Sequence, residues 1–169
     1  SKKWESLGLH IIYDVAHNIA KIENHSIKGK QKKVVVHRKG ATRAFPANTE
    51  GVPEYYKDTG HPVLIPGDMG TESFVVVGEK KVLTETFGSS CHGAGRLLSR
   101  SAASKKVNLG KLLNDLKESN ISILSKNKEG LKEEAPEAYK DVEKVINALE
   151  EIKLIKKVAK MKPLIVIKG

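Results

Sequence analysis

The sequence predicts an α+β fold, with a mixed sheet and flanking helices, in a single unit that spans residues 1–169. Short β-branched runs bounded by Gly and Pro alternate irregularly with segments whose apolar residues recur at helical spacing. The length of 169 residues suits one domain, and no stretch has the composition of a linker. A chain of this size buries roughly 68–70% of the surface that its unfolded form exposes, so it needs no structural disulfide or metal.

Four segments have helical patterns. The first extends from Trp4 to about Ile22, because its apolar residues from Ile12 onwards are spaced three and four apart. The last begins with Pro136 in a first-turn position, where a missing amide proton costs nothing. This last helix covers Ala135–Leu149. The second and third predicted helices are Lys80–Phe87 and Leu109–Glu118.

Strands are predicted where short apolar or β-branched runs stand between breakers. Between Pro46 and Pro66, Gly and Pro interrupt the apolar runs so often that we expect loops and brief strands. The four predicted strands are Lys33–Arg38, Ser73–Val77, Ile121–Leu124 and Leu164–Ile167.

Composition narrows the class of protein. The single cysteine, Cys91, excludes an internal disulfide framework and suits a reducing compartment, so we expect a cytoplasmic protein. No apolar run approaches the roughly 20 residues of a membrane span, and no membrane partner is expected. The formal charge is 30 − 20 = +10, and Lys28 to Arg43 contains seven basic residues and no acid. This basic segment suits a polyanion such as RNA, although a solvated surface explains it equally well.

The densest polar motif is GSSCHGAGRLLSR, from Gly88 to Arg100. Its small residues let backbone amides approach an anion, but it is neither a Walker P-loop nor a dinucleotide fingerprint. His92 at its centre is a candidate base, metal ligand or nucleophile toward phosphorus. On local pattern alone, a hydrogen-bonded histidine in a glycine turn is the commoner case. Cys91 is expected to be a small buried residue.

Three other stretches are candidates. His17 and Asn18 border the apolar stripe of the first segment, where a histidine is usually a core residue. The loop Pro66–Ser73 leads directly into a strand, so it is either a ligand-holding loop or a plain turn. Phe45, which follows the basic segment, can stack on a base or belong to the core.

Six segments, in order over nearly the whole chain, are similar to the C-terminal part of RtcB-type RNA-splicing ligases, and CHGAGR with the terminal KG is the most specific combination. They are YDVAHNIAKIE (Tyr13–Glu23), VHRKGATRAFP (Val36–Pro46), HPVLIPGDMGTESFVVVG (His61–Gly78), ETFGSSCHGAGRLLSR (Glu85–Arg100), EEAPEAYKDV (Glu133–Val142) and PLIVIKG (Pro163–Gly169).

The resemblance implies part of the RtcB-type fold and a ligase that joins an RNA 3′-phosphate or 2′,3′-cyclic phosphate to a 5′-hydroxyl, in tRNA splicing or RNA repair. GTP is the implied co-substrate and manganese the implied cofactor, and an accessory activator protein is left open. His92 matches the histidine that attacks the α-phosphate of GTP to form a histidine–GMP intermediate, and His17 matches a metal ligand.

The resemblance also assigns a guanylate pocket and, less directly, an RNA contact surface. The matching nucleotide residues are Asn18, Pro66, Gly67, Asp68, Met69, Ser73, Gly93, Ala94, Gly95, Tyr139 and Lys168. The candidates for RNA phosphates are Arg38, Lys39, Arg96 and Arg100.

The chain differs from the family in length. Family members are roughly three times longer, and their N-terminal part supplies an aspartate, a cysteine and two histidines to the metals. We therefore expect this chain to be a portion of a longer ligase that needs the N-terminal portion as its partner to bind manganese and complete guanylylation. Two alternatives are a non-catalytic basic RNA-binding module and a histidine-dependent phosphatase or nuclease.

Overall fold

Helices and strands alternate along the computed structural model, which describes residues 4–168. The predicted α+β class is confirmed. The strands are β1 (Asn18–Ile27), β2 (Lys30–Lys39), β3 (Ala41–Arg43), β4 (Pro62–Ile65), β5 (Ser73–Gly78), β6 (Ser89–Cys91), β7 (Ser122–Ser125), β8 (Ile155–Met161) and β9 (Ile165–Lys168). The α-helices are α1 (Val82–Glu85), α2 (Arg100–Lys106), α3 (Leu109–Glu118) and α4 (Val142–Glu151), and 3-10 turns occupy Trp4–Leu7, Glu54–Tyr56, Glu129–Glu134 and Pro136–Ala138.

The strands form small separate sheets. Antiparallel pairing joins β1 to β2, β3 to β6, and β4, β5 and β8 in that order. The only parallel pair in the described part of the chain is β7 with β9. Both kinds of pairing therefore occur, but in different sheets.

The predicted helix from Trp4 to Ile22 is wrong. Only Trp4–Leu7 forms a 3-10 turn, and Asn18 to Ile22 belongs to β1. Ile12 is 81% exposed, so the apolar stripe that suggested a helix is not buried. Instead β1 pairs with β2 across a two-residue turn, Lys28–Gly29, in which both residues have positive φ as a tight hairpin turn requires.

The predicted helix Ala135–Leu149 is interrupted. A 3-10 turn, Pro136–Ala138, ends at Tyr139, whose backbone is extended. The helix α4 begins only after Asp141, whose carboxylate accepts hydrogen bonds from the amides of Glu143 and Lys144. This interruption lets Tyr139 form an antiparallel bridge with Arg96.

The other predicted elements are confirmed, with shifts at their ends. The helix α3 has the predicted bounds, with Asn108 as its N-cap. In β5, buried and half-buried residues alternate, as expected of a strand with one face in the core. The sequence analysis missed β8, because three lysines and exposed residues hide its short apolar pattern.

Two hydrophobic clusters hold these elements together. The first joins the three-stranded sheet to α1 and α4, and Cys91 and Ala94 pack against it. The second joins α2, α3 and the turns around Leu131 and Ala138, and Tyr139 and Val166 pack against it. The glycine turn therefore packs on the first cluster through Cys91 and Ala94, whereas Tyr139 packs on the second. No helix within residues 4–168 has the length and apolar character to cross a bilayer.

A buried ion cluster connects the β1–β2 hairpin to β3 and β6. Glu23 accepts two hydrogen bonds of 2.8 Å from Arg38, two of 2.9 and 2.6 Å from Arg43, and contacts His25 at 3.0 Å. Arg38 also donates to Oγ of Ser89, the first residue of β6, and to the carbonyl of Phe87, two residues earlier. Burial alone would raise the pKa of Glu23, but the hydrogen bonds from Arg38, His25 and Arg43 outweigh it and lower the pKa to about 2.

This shifted pKa predicts acid sensitivity. A carboxylate whose pKa falls from 4.5 to about 2 on folding stabilises the protein fully above pH 4.5, and the stabilisation is lost as the pH falls toward 2. We expect the free energy of unfolding, measured by urea denaturation at a series of pH values, to decrease steeply over this range. In a Glu23→Gln variant, the same series should show a shallower decrease; an equal decrease would contradict the assignment.

Candidate functional site

The glycine turn after β6 places His92 against His17. The two imidazole rings stack with their centroids 4.7 Å apart and their planes within 5°. His17 lies just before β1, and its carbonyl accepts a hydrogen bond of 2.9 Å from the amide of Gly40, just after β2. Strand pairing therefore brings together two histidines that lie far apart in the sequence.

Gly40 makes room for this pair. Its φ is +72°, a conformation that other residues rarely adopt. A Cβ built there would lie 3.4 Å from Cε1 of His92. Any side chain at position 40 would therefore combine backbone strain with pressure on the His92 ring.

The loop 66–73 is shaped by its own polar groups. Asp68 Oδ1 accepts hydrogen bonds from the amides of Gly70 and Thr71 at 2.9 and 3.1 Å. Ser73 Oγ accepts a hydrogen bond of 3.1 Å from the amide of Gly67. A Cβ at Gly67 would lie 2.0 Å from the carbonyl oxygen of Glu72, so only glycine fits this turn. The side chains of Asp68 and Ser73 thus hold the loop rather than standing free.

This loop faces the glycine turn of His92. A Cβ built at Gly93 would lie 3.8 Å from the carbonyl oxygen of Pro66, so the two backbones approach closely. Met69 is 7% exposed, because its side chain belongs to the second hydrophobic cluster. The predicted nucleotide contact at Met69 is therefore limited to its backbone.

A second polar group surrounds Glu134. The guanidinium of Arg96 lies 4.6 Å from the centre of the Tyr139 ring and donates a hydrogen bond of 2.6 Å to the tyrosine oxygen. The Tyr139 hydroxyl donates to Oε2 of Glu134, and Nη1 of Arg96 lies 3.4 Å from the same oxygen. Nε of Arg100 lies 3.4 Å from Oε1.

The pKa values around Glu134 follow from these contacts. Burial tends to raise the pKa of Glu134, but the Tyr139 hydrogen bond and the charges of Lys168 and Arg96 lower it overall. Burial and the neighbouring Glu134 carboxylate raise the pKa of Tyr139 to about 12. Glu134 is therefore ionised at neutral pH and Tyr139 is protonated. Burial also raises the pKa of the Cys91 thiol, which disfavours the reactive thiolate.

The structure thus gathers the predicted site residues into two groups. His17, Asn18 and His92 lie where the hairpin meets β6, with the loop 66–73 beside them. Arg96, Arg100, Tyr139 and Lys168 surround Glu134. The carbonyl of Gly95 accepts a hydrogen bond of 2.9 Å from the amide of Lys140, which joins the glycine turn to the second group.

Arg38 must be removed from the RNA-contact prediction. Its side chain is 2% exposed and donates to Glu23, Ser89 and Phe87. Phe45 is 5% exposed and packs beside Arg43 and His61, so it is a core residue rather than a base-stacking one. Arg96 is held by protein groups, whereas Lys39 and Arg100 are exposed.

The described residues supply only part of the predicted metal site. Among residues 4–168, no group of three or more His, Cys, Asp or Glu side chains is placed to hold a metal ion. His17 is accessible at the edge of the site and can supply one imidazole ligand. The described residues do not by themselves fit a manganese centre.

Sequence reasoning missed Glu23 and Glu134. Each is an acidic residue in a chain rich in Lys and Glu, where a solvated carboxylate is the normal case. The available signal for Glu23 was that the basic segment from Lys28 to Arg43 contains no acid. An arginine of that segment that becomes buried needs a carboxylate partner from another part of the chain.

The structure brings together two closely spaced glycine-containing loops, a histidine pair and a group of cations. These features define a candidate site for phosphate or nucleotide chemistry. The family model "tRNA-splicing ligase RtcB" matches residues 1–169, and the chain belongs to this family.

Curated relatives named tRNA-splicing ligase RtcB agree. The one from Thermococcus kodakarensis is 52% identical over 99% of this chain, which covers 35% of the relative. Those from Pyrococcus abyssi and Nanoarchaeum equitans are 50% and 49% identical, over 98% and 99% of this chain, which cover 18% and 35% of the relatives. The chain thus spans about a third or less of the length of these relatives.

Proposed function

We propose that this chain is the nucleotide-binding and nucleophile-bearing portion of an RNA ligase that joins RNA 3′-phosphate or 2′,3′-cyclic phosphate ends to 5′-hydroxyl ends. The observation that carries the proposal is the stacking of His92 on His17 at 4.7 Å, beside the loop 66–73. The relatives' name, tRNA-splicing ligase, supports RNA as the substrate.

The proposed reaction begins at His92. An unprotonated ring nitrogen attacks the α-phosphorus of GTP, a nitrogen–phosphorus bond forms, and pyrophosphate leaves. An oxygen of the RNA 3′-phosphate then takes the GMP from His92; a cyclic end is first opened by water. The 5′-hydroxyl oxygen attacks the activated RNA phosphorus, gives up its proton, and releases GMP.

The chain's own residues support this sequence by holding groups in place. Stacking on His17 and the space beside Gly40 fix the plane of the His92 ring. The glycine turn at Gly93, Ala94 and Gly95 would lie along the nucleotide phosphates, and the exposed Arg100 and Lys39 are available to RNA phosphates. Manganese, when bound by His17 together with ligands from the remaining portion of the ligase, would offset phosphate charge.

Mass spectrometry tests this proposal. The chain is incubated with GTP and manganese, once alone and once with the N-terminal portion of the ligase. We expect an acid-labile GMP adduct on the His92 peptide in the second sample. Absence of the adduct from a demonstrably folded second sample would overturn the ligase assignment.

A second function, RNA binding without catalysis, is favoured by the exposed lysines of the β1–β2 hairpin. Lys32, Lys33 and Lys39 are exposed, and the single acid of the hairpin, Glu23, is bound to arginines. If the chain has this function, RNA binding should be independent of GTP and should weaken as the salt concentration rises. The logarithm of the binding constant should fall with the logarithm of the salt concentration, with a slope of about −0.7 per phosphate contacted. Filter binding at a series of salt concentrations measures that slope.

A further inference from the structure

We propose that Glu134 is a positioning residue that holds Tyr139 and Arg96 in the arrangement that receives the guanosine nucleotide. The inference rests on the proposed function, because it specifies how the nucleotide side of that site is kept in order.

The carboxylate of Glu134 contacts Tyr139, Arg96 and Arg100 of the second polar group. Oε2 accepts a hydrogen bond from the Tyr139 hydroxyl and lies 3.4 Å from Nη1 of Arg96. Oε1 lies 3.4 Å from Nε of Arg100. Lys168 lies close enough for its charge to lower the pKa of Glu134. The Glu134 carboxylate therefore faces two arginines and one phenol, and Glu133 adds a second carboxylate 4.0 Å from Nε of Arg100.

The backbone at Glu134 is rigidly held. The 3-10 turn Glu129–Glu134 is anchored on both sides, because Leu131 and Ala135 have no exposed surface. The carbonyl of Glu133 accepts a hydrogen bond from Arg96, which ties this 3-10 turn to the residue that follows the glycine turn of His92. The carboxylate is therefore fixed relative to the glycine turn that carries His92.

This arrangement decides what Tyr139 and its neighbours can offer a nucleotide. The hydroxyl proton of Tyr139 is donated to Glu134, so Tyr139 presents its ring and its oxygen but no proton. Without the Glu134 carboxylate, the Tyr139 hydroxyl would lose its acceptor and Nη1 of Arg96 would lose its anion, so the two side chains would no longer be held together from one side. Glu134 acts through these side chains and needs no contact with the nucleotide itself.

The test compares Glu134→Gln with Glu137→Gln in the ligase formed with the N-terminal portion. Glu137 is a matched control, since it is an exposed carboxylate three residues away whose one ion pair within residues 4–168 is with Lys111, at 3.9 Å. We expect Glu134→Gln to raise the KM for GTP in guanylylation by roughly 10-fold to 100-fold, the range for a lost charged hydrogen bond, with kcat changed less than about threefold. Glu137→Gln should leave both unchanged.

A spectroscopic readout separates positioning from general stability. The ¹³Cζ resonance of Tyr139, assigned with Tyr139→Phe, should titrate at lower pH in Glu134→Gln than in the unaltered protein. If Glu134→Gln fails to fold, Tyr139→Phe is the second variant. It removes the same hydrogen bond and should raise the KM for GTP in the same direction.

The outcomes are distinct. An unchanged KM and an unchanged Tyr139 resonance in Glu134→Gln overturn the positioning role, as does a fall in kcat with no change in KM. If Glu134→Gln does not fold, an unchanged KM in Tyr139→Phe overturns it as well. Failure of the unaltered, folded ligase to capture GMP overturns the proposed function and this inference with it.

Discussion

Replacing His92 with alanine is expected to abolish covalent capture of GMP, because no other histidine of the described residues stands in the glycine turn beside the loop 66–73. The fold should be preserved, since the His92 ring packs on His17 at the edge of the site and not in either hydrophobic cluster. The measurement is retention of radiolabel from α-labelled GTP after denaturation, in the presence of the N-terminal portion and manganese.

The matched control is His10→Ala, which removes an exposed histidine from the irregular segment before β1. It should retain label at the level of the unaltered protein. Retained label in His92→Ala would mean that a different residue is the nucleophile. A large drop in melting temperature for His92→Ala would contradict the structural part of the prediction.

Replacing Glu23 with alanine is expected to cost about 3–5 kcal/mol of folding stability, because it leaves the buried guanidinium of Arg38 without its anion. For a domain of 150–250 residues, each kcal/mol lowers the melting temperature by roughly 2–4 °C. The expected drop, measured by differential scanning calorimetry at pH 7, is therefore about 6–20 °C.

Glu54→Ala is the control for this prediction. Glu54 is an exposed carboxylate whose ion pair with Lys57, at 3.4 Å, is open to solvent. Exposed pairs contribute little, so its melting temperature should change by no more than a degree or two. Equal effects of the two substitutions would show that the Glu23 cluster does not hold the hairpin to β3 and β6.

The sequence predicted the elements whose apolar pattern is unambiguous. The helix α3 and the strand β5 were found because each shows one clear period, with the apolar face in a core cluster. The region from Trp4 to Ile22 was misread because isoleucines in a strand of the hairpin also fit a helical spacing. Pairing with β2 decided between the two, and pairing partners are not visible in a local window.

The candidate site shows the same division. The glycine motif around His92 and the resemblance to a known family could both be recognised from the amino-acid sequence alone. The stacking of His92 on His17 depends on strand pairing, and the position of Glu134 depends on a 3-10 turn that precedes a helix starting later than its sequence suggests. Arg38 was misassigned because an arginine bound to a buried carboxylate has the same sequence signature as one that binds RNA.

The parallel pair β7–β9 has a consequence for the order in which the site opens. Lys168 sits at the end of this two-stranded sheet, whose outward side chains, such as Ile165 and Ile167, are exposed. Few buried contacts protect such a pair, so its amides should exchange with solvent before those of β5 in the three-stranded sheet. In the proposed ligase, the side of the site near Lys168 would then loosen while His92 stays in place, which would provide an exit route for a spent nucleotide that leaves the rest of the site assembled.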